Sequence, residues 1–212
     1  MRRSTLFAKR SSLCVVLAAA ALFTACSNSD NGSSGASANP SAAATVPTNV
    51  SASASGSGQT FNGHGVSFQY PADWDPIQTS GESASQGSEA WSEAFGIDNG
   101  NFALVRQYNI NLSITASNID QHTSELTTQI QSLFTQAGGS MQSGPTKLTM
   151  GGFPALGYSG TAVTPQAVSV KTRIVLAFNG TTEYFVNCQS TGNDNSALET
   201  GCDQIVSTFA VA

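Results

Sequence analysis

The sequence is poor in charge: only 10% of its 212 residues are Asp, Glu, Lys or Arg. Of the eight basic residues, Arg2, Arg3, Lys9 and Arg10 fall in the first ten positions. That leaves Arg106, Lys147, Lys171 and Arg173 for the rest of the chain, against all thirteen acidic residues, a net charge of −9. Four scattered cations assemble no basic patch, which argues against nucleic acid as a partner and against electrostatic docking on an anionic bilayer. Histidine is scarce too, with His64 and His122 alone, and neither an HExxH motif nor a Cys/His cluster occurs. Gly138-Gly139 and Gly151-Gly152 lack the GKS or GKT sequel of a phosphate-cradling loop, and Gly157-Tyr158-Ser159-Gly160 lacks the spacing of a nucleophile elbow. No metal, no cofactor and no local catalytic set is expected. A hydrolase whose serine, histidine and carboxylate are dispersed along the chain remains open as an alternative.

Long apolar runs are also missing. The longest stretch of that kind, Leu13 to Phe23, has eleven residues, where a bilayer span needs roughly 20. A basic start, a short apolar core and small residues at its exit predict a secretory signal peptide over residues 1–25. Arg2-Arg3 raises a twin-arginine route, but Ser4-Thr5-Leu6 continues it poorly, so the general export route is favoured. The exit, Leu22-Phe23-Thr24-Ala25-Cys26, resembles the bacterial lipobox. That resemblance implies diacylglyceryl transfer to the Cys26 sulfur and cleavage before it. Two acyl chains give stable anchoring where one is marginal.

The chain has four cysteines. Cys14 leaves with the signal peptide and Cys26 takes the lipid, so Cys188 and Cys202 remain. An even pair in an exported protein reads as a disulfide. Its closed loop of 15 residues is worth roughly 3 kcal/mol in the chain-entropy model. A redox-active pair would prefer a CxxC spacing and basic neighbours, whereas Asp194, Glu199 and Asp203 stand nearby.

Residues 26–59 are almost wholly Ser, Ala, Asn, Gly, Thr and Pro. Such a stretch cannot offset its chain entropy by burial, which predicts a flexible linker behind the lipid; about 33 residues of coil reach roughly 30 Å. A single globular domain is expected over 60–212. Val66, Phe68 and Tyr70 alternate as a strand ended by Pro71, and residues 89–97 form a second, closed by the turn Asp98-Asn99-Gly100-Asn101. Phe102, Leu104, Tyr108, Ile110, Leu112 and Ile114 share one face of a third strand. Leu126, Ile130, Leu133, Phe134 and Ala137 make one helical stripe over 120–137, with Asp120 as expected N-cap and Gly138-Gly139 as stop. Hairpins are expected at Gly151-Gly152 and Asn179-Gly180, and a closing helix over 196–209 stapled by Cys202. The sum is an α+β domain, an antiparallel sheet with helices packed on its faces.

Gly65-Val66-Ser67-Phe68-Gln69-Tyr70-Pro71 with Trp74, then Leu148-Thr149-Met150-Gly151-Gly152-Phe153-Pro154-Ala155, then Ile205-Val206-Ser207-Thr208-Phe209 together resemble PsbP-like domains. This α/β/α sandwich was first known from an extrinsic photosystem subunit and also occurs in envelope lipoproteins of the LpqN kind. The resemblance covers residues 60–212 and implies a fold and a habit of serving as an accessory or protein-binding module. It carries over no site residue.

One residue breaks the apolar pattern. Arg106 lies in phase with the six large apolar residues of its strand. Three readings fit: a β-bulge turns it outward, it pairs with a carboxylate at the sheet edge, or it contacts an anionic ligand in a cleft. The favoured function is a membrane-anchored, extracytoplasmic, non-catalytic binding or accessory module with an envelope protein partner. A lipid or small-molecule carrier, with a cavity between sheet and helix and Arg106 at its mouth, is the alternative from another class.

Overall fold

The computed structural model describes residues 58–78, 89–164, 167–192 and 196–212. The expected signal peptide, Cys26 and the linker as far as residue 57 lie outside the described residues. In chain order the elements are β1 (Gln59–Gly63), β2 (Val66–Tyr70), β3 (Asp75–Ile77), β4 (Glu89–Asp98), β5 (Asn101–Ile114), α1 (Ile119–Gln136), β6 (Ser140–Met150), β7 (Phe153–Val163), β8 (Ser169–Ser190), α2 (Ser196–Thr208) and β9 (Ala210–Val211). They form a small sheet, β1-β2-β9, and a main sheet, β3-β4-β5-β8-β7-β6, with every pairing antiparallel.

β8 holds the main sheet together. Extended, its 22 residues would span about 70 Å. Instead Lys171 and Arg173, near its start, line the same concavity as Cys188 and Ser190, near its end. The facing of its side chains also inverts across Asn179-Gly180. Ile174, Leu176 and Phe178 share a core with Phe185, while Val175 and Ala177 share the other core with Tyr184 and Val186. β8 therefore doubles back at the expected Asn-Gly pair, where Gly180 has φ +62°. Its first arm pairs with β7 and its second with β5.

The sheet separates two cores. On one side α1 lays down Leu126, Ile130, Leu133 and Phe134 against Leu156, Ile174, Leu176 and Phe178. On the other, α2 and the small sheet bring Phe68, Tyr70, Trp74, Leu198, Ile205 and Val206 against Val105, Val175 and Val186. Helix, sheet, then helix with small sheet make an α/β/α sandwich of the α+β class. The first part of β5 is buried on both faces, since Ala103 and Val105 are as enclosed as Phe102 and Leu104.

Local chemistry accounts for the boundaries, with some departures from expectation. α1 ends in a Schellman motif: Gly138 N–H donates to Thr135 O and Gly139 N–H to Phe134 O, with Gly138 at φ +69°. Its N-cap is Asn118 rather than Asp120. The Asn118 side chain serves the preceding turn, accepting from Thr115 N at 2.7 Å and donating to Ser113 O at 2.9 Å. Asp120 sits in the first helical turn and pairs with Lys147 of β6 at 2.6 Å. The short strands β1, β3 and β9 were not anticipated, and β1 already includes Gln59, the last residue of the expected linker.

α2 is fixed at two points. The Cys188–Cys202 disulfide joins it to β8, with Cα atoms 6.1 Å apart. One residue earlier, Gly201 lies against Trp74: a Cβ there would sit 2.3 Å from the indole ring and 2.8 Å from Pro71. Ala is normally better than Gly inside a helix by about 1 kcal/mol. Here overpacking outweighs that gain, and Gly201→Ala is expected to destabilise the fold by about 1–3 kcal/mol. The midpoint of urea unfolding checks this; a midpoint at or above wild type would contradict the contact.

Candidate functional site

Arg106 is buried, 6% exposed, on the α1 side of β5. Strand register sets its surroundings. Across the sheet it lies between Ser92 of β4 and Phe185 of β8. The neighbouring rung on one side is Glu89–Tyr108–Glu183; on the other come Ala94–Leu104–Asn187 and Gly96–Phe102–Gln189. All of these residues share one face.

A register shift between Glu89 and Trp91 decides the charge pairing. In a regular strand Glu89 would share the face of Trp91 and Glu93. One extra residue in β4 places Glu89 opposite Tyr108 and Trp91 opposite Gln107, which brings the carboxylate to the arginine's face. Glu89 Oε2 then stands 3.4 Å from Arg106 Nη1, with both side chains largely buried. Arg106 Nη1 also donates to Tyr108 Oη at 3.3 Å. A bulge is present, but it turns the acid inward rather than the arginine outward, and Arg106 pairs with a carboxylate as the second reading expects.

The other polar groups of this face, set among Ala94, Phe102 and Leu104, are poorly matched. Glu183 is 2% exposed and Asn187 0%. Ser92 Oγ, Glu183 Oε2, Gln189 Oε1 and both amide atoms of Asn187 are buried with no hydrogen-bond partner among the described residues. Thr172 Oγ1 joins them from the first arm of β8, on the face of Ile174. Each buried unsatisfied group costs about 1–3 kcal/mol, so such groups are normally few and scattered; here all but Gln129 Oε1 of α1 lie on this one face of the sheet. Burial pushes the Glu183 carboxyl up to about 7. It also raises Tyr108, where the Arg106 charge and hydrogen bond pull the other way.

The opposite face carries a trough of about 560 Å³ between α2 and β6. Gly157 and Ser159 lie on its floor beside Ser143, whose hydroxyl is 2.6 Å from that of Ser159. Lys171, Arg173 and Glu199 line it, and the disulfide closes one end. Arg173 Nη1 pairs with Asp203 of α2.

His64 occupies the β1–β2 turn at φ +54°, a left-handed conformation that a non-glycine residue adopts at some cost. Its ring stacks on Trp91 at 5.0 Å and its Nε2 lies 3.0 Å from Glu93 Oε1. The histidine thus clasps the small sheet to β4. His122 lies in the first part of α1. A dispersed hydrolase needs a histidine between a serine and a carboxylate; His64 has the carboxylate, and among the described residues no hydrogen bond joins either histidine to a serine. Among the described residues no group of three or more His, Cys, Asp and Glu is placed to hold a metal. Glu89, Glu93 and Asp98 do not form a paired acid set: each has its own partner, Asp98 accepting from Gly100 N and Asn101 N within its turn.

No family model and no curated protein matches the chain. Solved structures do. Cyanobacterial PsbP (CyanoP) from Synechocystis is 14% identical with a TM-score of 0.54, over 76% of this chain and 99% of that one. A protein of Bacteroides thetaiotaomicron is 14% identical with a TM-score of 0.48 over 73% of this chain, which spans only 48% of its length. LpqN of Mycobacterium tuberculosis, described as involved in cell envelope biogenesis, is 12% identical with a TM-score of 0.45, over 69% of this chain and 83% of that one. The likeness to CyanoP shows a PsbP-like fold.

The buried carboxyl yields a signed pH dependence. A group whose folded pKa is raised from 4.5 to about 7 contributes fully below its unfolded pKa, and the contribution is lost as pH rises through the folded one. Wild-type stability should therefore fall between about pH 4.5 and 7 by roughly 3 kcal/mol from this residue. Glu183→Gln should remove that slope and stabilise the fold above pH 7. Urea unfolding of both proteins at matched pH values checks it; parallel curves would count against the assignment.

Proposed function

We propose that this protein is a lipid-anchored accessory module of the bacterial envelope, exported by residues 1–25, acylated on Cys26 and held off the bilayer by the linker that follows. The observation that carries this reading is Leu22-Phe23-Thr24-Ala25-Cys26 at the end of an eleven-residue apolar run. A diacylglyceryl group there supplies two chains, at about 0.8 kcal/mol per buried methylene, enough for stable residence at a membrane. The Cys188–Cys202 bridge supports the compartment, because disulfides persist outside the reducing cytoplasm. The PsbP-like domain is then a non-catalytic binding unit whose partner is another envelope protein. Its docking place is the trough between α2 and β6, which the disulfide holds in shape. No nucleic acid enters this function.

Metabolic labelling with a clickable palmitate analogue tests the anchor. The intact protein should take the label and sediment with membranes, and Cys26→Ala should lose the label and leave the membrane fraction. An unlabelled wild-type protein shed into the medium would overturn the reading. Photo-crosslinking from Ser143 in intact cells tests the binding role: a reproducible envelope protein adduct supports it, and its absence across growth conditions counts against it.

A further inference from the structure

The trough between α2 and β6 differs in charge from the rest of the domain. Residues 26–212 carry a net charge of −9 and only four cations. Arg106 is buried against Glu89, and Lys147 pairs with Asp120 of α1 on the other side of the sheet. The remaining two, Lys171 and Arg173, both line the trough, where Glu199 is the one lining carboxylate. They stand two apart on β8 and so share a face. Register orders the floor beside them. Ser143 of β6, Ser159 of β7 and Arg173 of β8 form one rung across three strands, and the two hydroxyls are 2.6 Å apart. Thr146 and Gly157 form a neighbouring rung, and Leu148 and Leu198 add apolar walls.

We propose that this trough binds an extended acidic segment of the partner protein, one carboxylate of which takes the place of Asp203 on Arg173. The proposal rests on the docking role given above and names the segment that docks. The free protein already shows what Arg173 recognises: Asp203 of α2 holds its Nη1, and the two side chains are 35% and 65% exposed. Ion pairs this exposed add little to stability, so an incoming carboxylate displaces Asp203 at low cost. The guanidinium fork then donates two hydrogen bonds to that carboxylate, and Lys171 supplies a second positive charge. The Ser143 and Ser159 hydroxyls donate to or accept from the backbone of the segment. From Lys171 to Val175, the partner of Gly157, β8 rises about 13 Å, the length of about four extended residues. Gly157 leaves the floor open, since a Cβ there would stand 3.0 Å from Leu148 Cδ2. Among the described residues lining the trough Tyr158 is the one aromatic, and it is buried, so a sugar ring finds no stacking platform. The negative charge elsewhere on the domain repels an acidic partner from other surfaces, which adds selectivity for this one.

NMR titration of the full chain with acetyl-Leu-Glu-Leu-Glu-amide tests the proposal, with acetyl-Leu-Gln-Leu-Gln-amide as the neutral control and glucuronate as a carboxylate without a peptide. The Glu peptide should shift the backbone amides of Ser143, Ser159 and Arg173, bind more tightly than its Gln counterpart, and weaken as salt rises. Arg173→Gln should reduce its affinity to that of the Gln peptide. Lys171→Gln provides the same comparison should Arg173→Gln not fold. Asp203→Asn should tighten binding by up to about fivefold, the most that an exposed pair competes, whereas a merely structural pair would make this variant bind less well. Equal affinities for the two peptides, tighter binding of glucuronate, a weaker complex with Asp203→Asn, or no shift at these amides would each overturn the proposal. Photo-crosslinking from Ser143 separates the two readings: an envelope protein adduct alongside any of those results leaves the docking role standing and removes only the acidic segment.

Discussion

The reversal of β8 at Asn179-Gly180 is the constraint on which the rest of the sheet depends. One arm takes β7 and through it β6; the other takes β5, β4 and β3. A single Asn-Gly pair thus joins the two halves of the sheet, whose arms lie side by side. The arms lie in the middle of the sheet, so both their faces are covered, one by the α1 core and the other by α2 with the small sheet. A strand in that position has no solvent side on which to leave its polar residues. The buried Glu183, Asn187 and Gln189 follow from where β8 sits as much as from what it contains.

That enclosure gives the two sides of the sheet different characters. Toward α2 the contacts are aromatic and aliphatic, with Phe68, Phe95 and Phe209 grouped around the small sheet and Trp74 sealing the helix at Gly201. Toward α1 the apolar core lies beneath the helix and reaches Tyr108, Ile114 and Phe185. Beyond it a smaller apolar cluster, Ala94, Phe102 and Leu104, is interleaved with the buried polar groups and the Arg106–Glu89 pair. A buried pair of this sort adds little net stability over a well-packed apolar alternative. The bulge that re-aims Glu89 supplies the arginine with its counter-charge there.

Much of this was legible in the residues. Alternation in Val66-Ser67-Phe68-Gln69-Tyr70 and the stripe from Leu126 to Ala137 fixed elements because each has one covered face, and the Gly151-Gly152 and Asn179-Gly180 hairpins followed from residues that accept positive φ. The cysteine pair was found by counting. Three kinds of feature were not accessible. β1, β3 and β9 are strands of five, three and two residues, too short to show a period; β9 also rests on a partner, β2, far away in sequence. α1 starts at Ile119, one residue before Asp120, because Asn118 and its side chain close the preceding turn. The buried polar groups were hidden because Glu183, Asn187 and Gln189 alternate with Tyr184, Val186 and Cys188, the pattern of a half-exposed strand; only the tertiary cover on both faces makes them interior. Arg106 was the exception, conspicuous because it stood alone among apolar neighbours.

The small sheet has a mechanical meaning. Its first strand begins at Gln59, and its rungs run from Gln59–Tyr70 to Gly63–Val66. A pull on residue 58 meets these rungs one at a time, beginning at the end farthest from the turn, so β1 yields by peeling rather than by shearing. β2 is held from its other edge by β9 and from above by α2, itself bolted to β8 by sulfur. Tension reaching the domain from its amino end would thus be relieved by the loss of one peripheral ribbon, and the load would stop short of the sandwich itself.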